Sequence, residues 1–396
     1  MTRTVAPGPR TGAVQIPASK SQAHRMLICA ALSKAPSRLV LDGFSADIEA
    51  TVRCLEALGA RCGKTVGGLS ITPLSSCPAQ ARLDVGESGS TLRFLLPLAM
   101  ALGRTGLHLT GTPRLLERPL SAPYPVAREN AGYRITEPLT PGRYALRGDE
   151  TSQTVSGLLM ALPLLAEPSE LVLTTPLVSR AYVDMTLDAL RRHGVTVLTT
   201  ETGWRIPAPQ VFQPDESPVE GDWSAGGWWL AANALQGGGV TVTNLPLHSS
   251  QPDRVITGYL QELPETVDVS QTPDLLPALA LLAAMRPQTT RFTGGAFLRR
   301  KESDRLHTVA AVLAVLGVAV EELPDGLTVV GGRPLHGGVT LDAFDDHRIA
   351  MLCGCAALFC REPVVLRGGN CVAKSYEDFW RDYAMLGGKT EELMES

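Results

Sequence analysis

The chain repeats one pattern, in which an apolar helical stretch ends at a glycine and a second glycine follows nine residues later between two short strands. The copies are CLEALGARCGKTVGGLSI (54–71), DALRRHGVTVLTTETGWRI (188–206) and AVLAVLGVAVEELPDGLTV (311–329). The first glycine suits the left-handed end of a helix, and the second suits a hairpin turn. One copy would be unremarkable in any α/β protein. Several copies with identical spacing predict duplicated α+β subdomains rather than a dinucleotide fold.

Amphipathic helices and one irregular segment complete this organisation. A looser copy of the repeat lies at AGYRITEPLTPGRYAL (131–146), and stretches such as AGGWWLAANAL (225–235) have apolar residues three and four apart. Near the middle, PAPQVFQPDESPVEGDW (207–223) is rich in proline and acidic residues. Such a break predicts a crossing between domains. The 396 residues are enough for two of them.

Composition and charge limit the class of partner. The formal net charge of −4 argues against nucleic acid or an anionic membrane as the main partner. The apolar stretch ALALLAAM (278–285) is too short to span a bilayer, and the first seventeen residues lack the apolar core of a signal peptide. We therefore expect a cytoplasmic protein that acts on small molecules.

The cysteine pattern gives no sign of a metal site. The eight cysteines form no CxxC pair and have no histidine at zinc spacing. We expect reduced, mostly buried thiols. The cysteines are Cys29, Cys54, Cys62, Cys77, Cys353, Cys355, Cys360 and Cys371.

Polar segments stand at predicted helix starts in the first half. PASKSQAHR (17–25) places Lys20, Ser21 and Arg25 before an apolar stretch, but it lacks the glycines of a Walker loop. Backbone N–H groups at a helix start favour anions, although a merely solvated helix start is the alternative here. Similar segments are DVGESGSTLRF (84–94), TGTPRLLERPL (110–120), DETSQTVSG (149–157) and PLVSRAYVDM (176–185).

The second half has comparable segments. RRKESDRLHTVAAVL (299–313) puts six charged side chains into seven positions, and FDDHRIAM (344–351) precedes a nearly all-apolar helix. Asp274 stands where a helix begins, so a capping carboxylate is the alternative to a functional one. CVAKSYEDF (371–379) contributes Lys374.

The cations of these segments suggest a cleft for small, multiply anionic substrates, because arginine forks suit carboxylates and phosphates. Asp274 and Glu302 would then be the proton-transfer groups in a cationic field. The cations are Lys20, Arg25, Arg93, Arg118, Lys301, Arg305, Arg348 and Lys374.

Taken in order, the segments resemble the 5-enolpyruvylshikimate-3-phosphate synthase family. The most specific matches are SKS (19–21), KESDR (301–305) and DHR (346–348). The resemblance implies an α+β (α/β) enolpyruvyl transferase fold with two domains, each of three βαβαββ repeats, and an active site in the interdomain cleft. It implies an N-terminal domain at 18–218 and a C-terminal domain at 1–17 and 219–396.

The resemblance also implies a reaction of the shikimate pathway that needs no cofactor or metal. The enolpyruvyl group of phosphoenolpyruvate moves to the 5-hydroxyl of shikimate 3-phosphate, through a tetrahedral intermediate that loses phosphate. By position, Asp274 matches the carboxylate that takes the hydroxyl proton, and Glu302 matches the group that protonates and deprotonates the methylene carbon. Lys20 matches the lysine that touches the phosphate and the reacting oxygen. A monomer is expected.

The same matching implies two sets of binding residues. For shikimate 3-phosphate these are Lys20, Ser21, Arg25, Thr151, Ser152, Gln153, Ser179, Asp274 and Lys301. For phosphoenolpyruvate these are Lys20, Gly89, Arg118, Gln153, Arg305, Arg348 and Lys374. Asp304 is expected to cap a helix, and Arg299 and Arg300 are expected to be solvated.

The chain departs from the family pattern at several positions. Glu87 adds a carboxylate near the expected phosphate, Thr151 replaces a more usual serine, and Phe297 lies where an asparagine is common. The tryptophans of VEGDWSAGGWW (219–229) are also unusual.

Two alternatives stay open. One is the sister enzyme, UDP-N-acetylglucosamine enolpyruvyl transferase, which uses a catalytic cysteine on a loop whose counterpart here, GTPRLLERPL (111–120), has none. The other is an inactive homologue that binds metabolites.

Overall fold

The structure is a computed structural model that describes residues 1–75, 78 and 81–393. The chain divides into two compact units. The middle unit is Ala18–Glu220, and the composite unit contains Met1–Pro17 and the chain from Gly221 onward. The sequence predicted that the chain leaves the N-terminal domain after residue 218, whereas the middle unit ends at Glu220.

Helices and short strands alternate throughout the described residues. The α-helices are α1 (Lys20–Leu32), α2 (Ala46–Ala57), α3 (Gly89–Ala101), α4 (Pro113–Leu116), α5 (Ser152–Ala161), α6 (Arg180–Arg192), α7 (Trp223–Gln236), α8 (Ile256–Gln261), α9 (Leu276–Met285), α10 (Arg305–Val315), α11 (His347–Ala357) and α12 (Phe379–Met385). Short 3₁₀ helices lie at Leu162–Leu164, Pro252–Val255, Pro273–Leu275, Ala296–Arg300 and Gly369–Lys374.

The strands are short and spread along the whole described chain. They are β1 (Thr2–Val5), β2 (Gly12–Gln15), β3 (Ser37–Val40), β4 (Arg61–Thr65), β5 (Gly68–Thr72), β6 (Arg82–Asp84), β7 (His108–Thr110), β8 (Val126–Glu129), β9 (Gly132–Ile135), β10 (Arg143–Leu146), β11 (Ser169–Leu173), β12 (Leu198–Thr199), β13 (Gly203–Ile206), β14 (Val240–Thr243), β15 (Thr266–Asp268), β16 (Thr289–Thr293), β17 (Ala319–Leu323), β18 (Gly326–Val330), β19 (Thr340–Asp342), β20 (Val364–Arg367) and β21 (Thr390–Leu393).

The two four-stranded sheets of the middle unit share one topology. In β6-β7-β9-β8 and β10-β11-β13-β12 the first two strands are parallel and the remaining pairs are antiparallel. The sheet β3-β5-β4 has three antiparallel strands. A parallel pair needs a helical crossover, so each four-stranded sheet carries helices within its own segment of chain.

The composite unit uses the same topology and completes one sheet with the chain's first strand. Its sheets β15-β16-β18-β17 and β19-β20-β1-β21 again begin with a parallel pair. Strand β1 takes the third place, antiparallel to β20 with Thr2 opposite Arg367. The pair β14-β2 is parallel. The predicted duplicated α+β arrangement is confirmed, although the sheets containing β3 and β14 are smaller than a full βαβαββ copy.

The two glycines of the repeat have different physical roles. Gly59, with φ of +106°, lies in the left-handed region where a helix ends, as predicted. The second glycine is required by close approach of a neighbouring strand. A Cβ added at Gly326 would lie 1.8 Å from the carbonyl oxygen of Phe292, and one at Gly203 would lie 2.0 Å from that of Leu171. A side chain at these positions would therefore separate the strands.

Buried helices fill the interior of each unit. Helix α3 in the middle unit and α9 in the composite unit are almost wholly buried, which explains their continuous apolar sequence. The unusual Trp229 is also buried, stacked on Phe379 with ring centroids 5.4 Å apart. Such aromatic pairs add packing beyond their buried area. Among the described helices, none is long and apolar enough to cross a membrane.

The described cysteines match the expectation of free, mostly buried thiols. Those at positions 29, 54, 353, 355 and 360 are buried, and Cys62 and Cys371 are partly exposed. Burial raises the pKa of the Cys54 thiol to about 12, which keeps it protonated and unreactive near neutral pH. Cys77 lies outside the described residues.

Candidate functional site

The first candidate residue lies at the start of α1 in the middle unit. Ser19 caps this helix by accepting a hydrogen bond from the backbone N–H of Gln22. Lys20 is the first helical residue, and its Nζ lies 3.0 Å from Asp47 Oδ2 on α2. The Lys20 side chain is 13% exposed. The ammonium is thus fixed at the N-terminus of a helix, where the helix dipole favours an anion. Ser21, next in the helix, is half-buried.

A buried hydrogen-bond chain holds the starts of α1, α2 and α3 together. His24 Nδ1 lies 2.7 Å from Thr51 Oγ1, which lies 2.7 Å from Thr91 Oγ1. Thr91 in turn donates to Ser88, the cap of α3. Burial lowers the pKa of His24 to about 3, so its imidazole is neutral at physiological pH. The chain is therefore a structural link rather than a source of charge.

Arg25 is buried and strongly engaged by the protein. Its Nε donates to Thr186 Oγ1 at 2.7 Å, and Nη1 donates to the carbonyl of Ser21 at 2.5 Å. Its Nη2 donates to Tyr182 O and Ser156 Oγ. Burial lowers the pKa of Arg25 to about 10, still well above neutral pH. These bonds use four of the five N–H groups of a guanidinium, which leaves one on Nη1 for a ligand.

Glycine at position 89 allows two arginines to approach the start of α3. A Cβ at Gly89 would lie 2.9 Å from Arg93 Nη1 and 3.3 Å from both terminal nitrogens of Arg118. Arg93 Nη1 also donates to Gln153 Oε1 at 3.1 Å. Gln153 Nε2 donates to Ser90 Oγ at 3.0 Å. The structure thus brings together three predicted phosphoenolpyruvate residues, Gly89, Arg118 and Gln153.

Small residues let α3 and α5 approach closely. A Cβ at Gly157 would lie 2.1 Å from the carbonyl oxygen of Arg93. At the start of α5, Thr151 accepts a hydrogen bond from the backbone N–H of Gln153, and the buried Ser152 follows. Thr151 therefore keeps the capping role of the more usual serine.

Ser179 precedes α6 in a strained conformation. Its φ of +54° lies in the left-handed region, which is uncommon for a residue with a side chain. The residue is buried. Backbone strain of this kind is often found at ligand sites.

A network of buried charges lies in the composite unit, centred on Arg305. This arginine, 1% exposed, begins α10 and binds three carboxylates. Nη1 lies 3.0 Å from Asp274 Oδ1, Nη2 lies 2.7 Å from Glu302 Oε2, and Nε lies 3.0 Å from Asp346 Oδ2. Burial acts to lower the pKa of Arg305, but the three carboxylates together raise it above its ordinary value. Arg305 is therefore permanently charged.

Two further cations contact the same carboxylates. Arg348 Nη2 lies 2.6 Å from Asp274 Oδ2, and Lys374 Nζ lies 3.8 Å from Glu302 Oε1. Arg348 occupies the first turn of α11, where Asp346 accepts its backbone N–H at 2.9 Å. The sequence alternative for Asp274, a capping carboxylate, is wrong, because its side chain binds two arginines.

Lys301 lies next to this network. Its Nζ is 5.4 Å from the centroid of the Phe297 ring. Phe297, which stands where the family often has asparagine, therefore offers a cation–π contact in place of an amide.

Arg299 is not solvated as expected. Its Nη1 lies 2.9 Å from Asp304 Oδ2 and 2.6 Å from Glu322 Oε1, and it also donates to backbone carbonyls of the β17–β18 turn. The expectation failed because Glu322 lies on the returning strand, far away in sequence. Arg300 is exposed, and Asp304 caps α10 by accepting from the His307 N–H at 3.2 Å, both as expected.

The network pairs three cations with three carboxylates. The negative and positive charges of the network are equal in number: three carboxylates, Asp274, Glu302 and Asp346, pair with three cations, Arg305, Arg348 and Lys374. The side chains of Asp274 and Glu302 are 21% and 14% exposed, whereas Asp346 is fully buried. Two carboxylates thus remain accessible to a substrate while their positions are fixed by arginine.

Sequence reasoning missed the roles of three residues. The sequence predicted that Arg93 is one of the cations of the cleft, but it predicted no ligand for this residue. It predicted no role for Asp346 or Asp47. Their partners lie on other elements, so no local spacing indicated them. The unbroken apolar run after DDHR was the available signal for Asp346, because a charge preceding so buried a helix must itself be paired.

Comparison with known proteins gives one consistent family. The family profile described as EPSP synthase (3-phosphoshikimate 1-carboxyvinyltransferase) matches residues 5–264 and 253–383. A protein of that enzyme name from Clostridium kluyveri is 40% identical over 412 aligned residues, covering 96% of each chain. Another from Clostridium perfringens is 36% identical over 420 aligned residues, covering 97% of this chain and 98% of the relative.

Solved structures share the fold. EPSP synthase from Acinetobacter baumannii superposes with a TM-score of 0.80 at 21% identity, covering 99% of this chain and all of that one. The enolpyruvyl transferase NikO from Streptomyces tendae gives a TM-score of 0.75 at 18% identity, covering 98% of both chains. Since the profile spans nearly the whole chain and the relatives align end to end, this protein belongs to the EPSP synthase (3-phosphoshikimate 1-carboxyvinyltransferase) family.

Proposed function

We propose that this protein is a 3-phosphoshikimate 1-carboxyvinyltransferase, which transfers the enolpyruvyl group of phosphoenolpyruvate to the 5-hydroxyl of shikimate 3-phosphate. The hydroxyl oxygen forms a bond to the carbon that carries the phosphate, while the methylene carbon gains a proton. The tetrahedral intermediate then loses phosphate and a methyl proton, which restores the double bond. Both substrates are small and carry several negative charges.

The arginine-centred network of the composite unit carries the proposal. The reaction needs proton transfer at an oxygen and at a carbon, and therefore two separate acid–base groups. Arg305 holds Asp274 and Glu302 on different nitrogens, and each has a second cation beside it. Two partly exposed carboxylates fixed by arginine suit this chemistry.

Each catalytic residue has a distinct proposed role. Asp274 accepts the proton of the 5-hydroxyl, and Glu302 protonates the methylene carbon and later removes a proton from the methyl group. Lys20 contacts the phosphate and the reacting oxygen. Its position at a helix start, held by Asp47 at 3.0 Å, supports an electrostatic role.

The remaining residues of the two predicted sets are proposed to bind the substrates. Phosphoenolpyruvate would take Gly89, Arg118 and Gln153 from the middle unit. From the composite unit it would take Arg305, Arg348 and Lys374. The proximity of Arg93 to Gly89 and Gln153 supports adding Arg93 to this set, at least as the group that orients Gln153.

Shikimate 3-phosphate would bind residues at helix starts of the middle unit together with Asp274 and Lys301. Thr151, Ser152 and Ser179 offer hydroxyls at helix starts, which suits a phosphate. Arg25 would contribute its one uncommitted N–H. The hydroxyls of α5 and α6 are therefore expected to contribute more to this binding than Arg25.

The sister activity toward UDP-N-acetylglucosamine is less well supported. That enzyme uses a catalytic cysteine on a loop of the first domain, and residues 111–120 contain none. We also propose that the protein acts as a cytoplasmic monomer, because its substrates are small metabolites and the proposed chemistry uses residues of one chain.

The direct test is release of inorganic phosphate from phosphoenolpyruvate by the purified protein. We expect release with shikimate 3-phosphate and none with UDP-N-acetylglucosamine or without an acceptor. Release with UDP-N-acetylglucosamine would replace the proposed acceptor. Folded protein that releases phosphate with neither acceptor would favour the metabolite-binding homologue.

A further inference from the structure

One of the unusual tryptophans, Trp229, makes a hydrogen bond that its aromatic packing does not require. Trp229 lies on α7 and is fully buried, and its Nε1 donates to the hydroxyl oxygen of Tyr376 at 3.1 Å. Tyr376 is also fully buried and donates its own hydroxyl proton to Asp382 Oδ2, on α12, at 2.7 Å. The phenol oxygen is therefore held between one donor and one acceptor.

The hydrogen-bonded tyrosine lies two residues after Lys374, which the proposed function assigns to phosphoenolpyruvate. Lys374 ends the 3₁₀ helix Gly369–Lys374 and is 8% exposed. The backbone N–H of Tyr376 donates to the carbonyl oxygen of Val372 at 2.8 Å, so Tyr376 belongs to the same turn of chain. A displacement of Tyr376 therefore moves the turn that carries Lys374.

Helix α12 fixes the other end of this 3₁₀ helix. Trp380 Nε1 donates to the carbonyl oxygen of Gly369 at 2.7 Å. The first residue of the 3₁₀ helix is thus held by Trp380, and the chain just after its last residue is held by the two side-chain bonds of Tyr376. A buried network whose members are all hydrogen-bonded favours a single conformation.

The position of Lys374 matters because its ion pair is a long one. Its Nζ lies 3.8 Å from Glu302 Oε1, and Coulomb attraction weakens further as the charges separate. We propose that Trp229 is a positioning residue for Lys374: its indole N–H holds Tyr376 and thereby keeps the ammonium where it meets Glu302 and phosphoenolpyruvate. This inference rests on the proposed function, in which Lys374 binds phosphoenolpyruvate.

The first test is Trp229→Phe, which removes the N–H donor but keeps an aromatic ring to stack on Phe379. We expect the KM for phosphoenolpyruvate to rise about threefold, because one buried hydrogen bond is lost. The KM for shikimate 3-phosphate should stay at the wild-type value, since its proposed ligands lie on other elements. An unchanged KM for phosphoenolpyruvate, or equal changes in both KM values, would overturn the proposal.

The matched control is Trp228→Phe. Trp228 is the neighbouring residue of α7 and is 1% exposed, and no described residue accepts a hydrogen bond from its indole N–H. The same change of side-chain volume in the same helix should therefore leave the KM for phosphoenolpyruvate unaltered. A threefold rise in this variant would assign the effect to the packing of α7 and contradict a role for the hydrogen bond.

A double-mutant cycle with Tyr376→Phe tests the bond itself. Once the phenol oxygen is absent, Trp229→Phe should raise the KM for phosphoenolpyruvate no further, because residues that act through one contact are not additive. A second rise as large as that in the wild-type background would mean that Trp229 acts without Tyr376, and the proposal would fail.

Hydrogen exchange of the ligand-free protein gives a readout that does not depend on activity. The backbone N–H groups of Ser375 and Tyr376 both donate to Val372 O, so their exchange reports opening of this turn. Trp229→Phe should speed their exchange, and Trp228→Phe should not. If the wild-type protein releases no phosphate, the proposed function fails, and unchanged exchange in Trp229→Phe then overturns this inference as well.

Discussion

At the scale of single residues, the main feature of the composite unit is one buried arginine, Arg305, that forms ion pairs with three carboxylates. A charge as buried as Arg305 is tolerated only when it is fully paired, and removing one partner of a buried pair typically costs about 3–5 kcal/mol. Asp346 provides the fully buried pairing, whereas the side chains of Asp274 and Glu302 are partly exposed. In the proposed mechanism, stability and catalysis are thus divided among carboxylates that share one cation.

Glu302→Gln should lower turnover by about a hundredfold or more, because glutamine keeps the shape but cannot transfer a proton. The KM values should change far less, since the amide oxygen can still accept from Arg305. Steady-state phosphate release over a range of substrate concentrations measures both. Glu321→Gln on the exposed face of β17 is the control and should keep wild-type rates. Unchanged turnover in Glu302→Gln would remove this residue from the mechanism.

The sequence predicted most of these residues but few of their partners. Lys20, Asp274, Glu302 and Arg305 stand in short motifs at helix starts, where local pattern and family resemblance are informative. Arg299 was wrongly expected to be solvated, because its partner Glu322 lies on a strand distant in sequence.

At the scale of elements, glycines set the distances between helices and strands. The nine-residue repeat was interpreted as a helix end followed by a hairpin turn, and in each copy the second glycine begins the returning strand of an antiparallel hairpin. Gly203 and Gly326 are required because a neighbouring strand's carbonyl lies where a Cβ would be. Spacing along the chain revealed that glycine was needed, but the neighbouring strand that requires it is visible only in three dimensions.

Gly157→Ala should destabilise the protein by about 1–3 kcal/mol, because overpacking at a close contact forces the backbones apart. Its Cβ would collide with the Arg93 carbonyl oxygen, so α3 would move and Arg93 would lose its position beside Gln153. Urea unfolding measures the first effect and the KM for phosphoenolpyruvate the second.

Gly258→Ala in α8 is the matched control. An added Cβ there meets open space, so alanine should stabilise this helix by up to about 1 kcal/mol. Equal stability of the two variants would mean that the approach of α3 and α5 does not constrain the fold.

At the scale of the whole molecule, the proposed ligand residues are divided between the two units. Thr151 and Ser152 belong to the middle unit, and Asp274 and Lys301 belong to the composite unit. A ligand that contacts both units favours whichever arrangement allows all its contacts at once. The proline-rich segment at 207–223 predicts a crossing between domains, but nothing in the sequence predicts how the units respond to a ligand.

Shikimate 3-phosphate should therefore reduce the radius of gyration in small-angle X-ray scattering. Inorganic phosphate, which can fill a single subsite, is the control and should leave it unchanged. An identical scattering curve with and without shikimate 3-phosphate, at a concentration where calorimetry shows binding, would contradict a shared ligand.

The central claim is that Glu302, a carboxylate held by Arg305, moves protons to and from carbon, and product formed in D₂O tests it most directly. In addition–elimination, the methylene group gains one solvent deuteron and becomes a methyl group. This methyl group then loses one of its three hydrogens. The account predicts that part of the enolpyruvyl product carries deuterium on its methylene carbon, detected by NMR, and that Glu302→Gln slows this incorporation together with phosphate release. Product that forms at the normal rate without deuterium on the methylene carbon would contradict it.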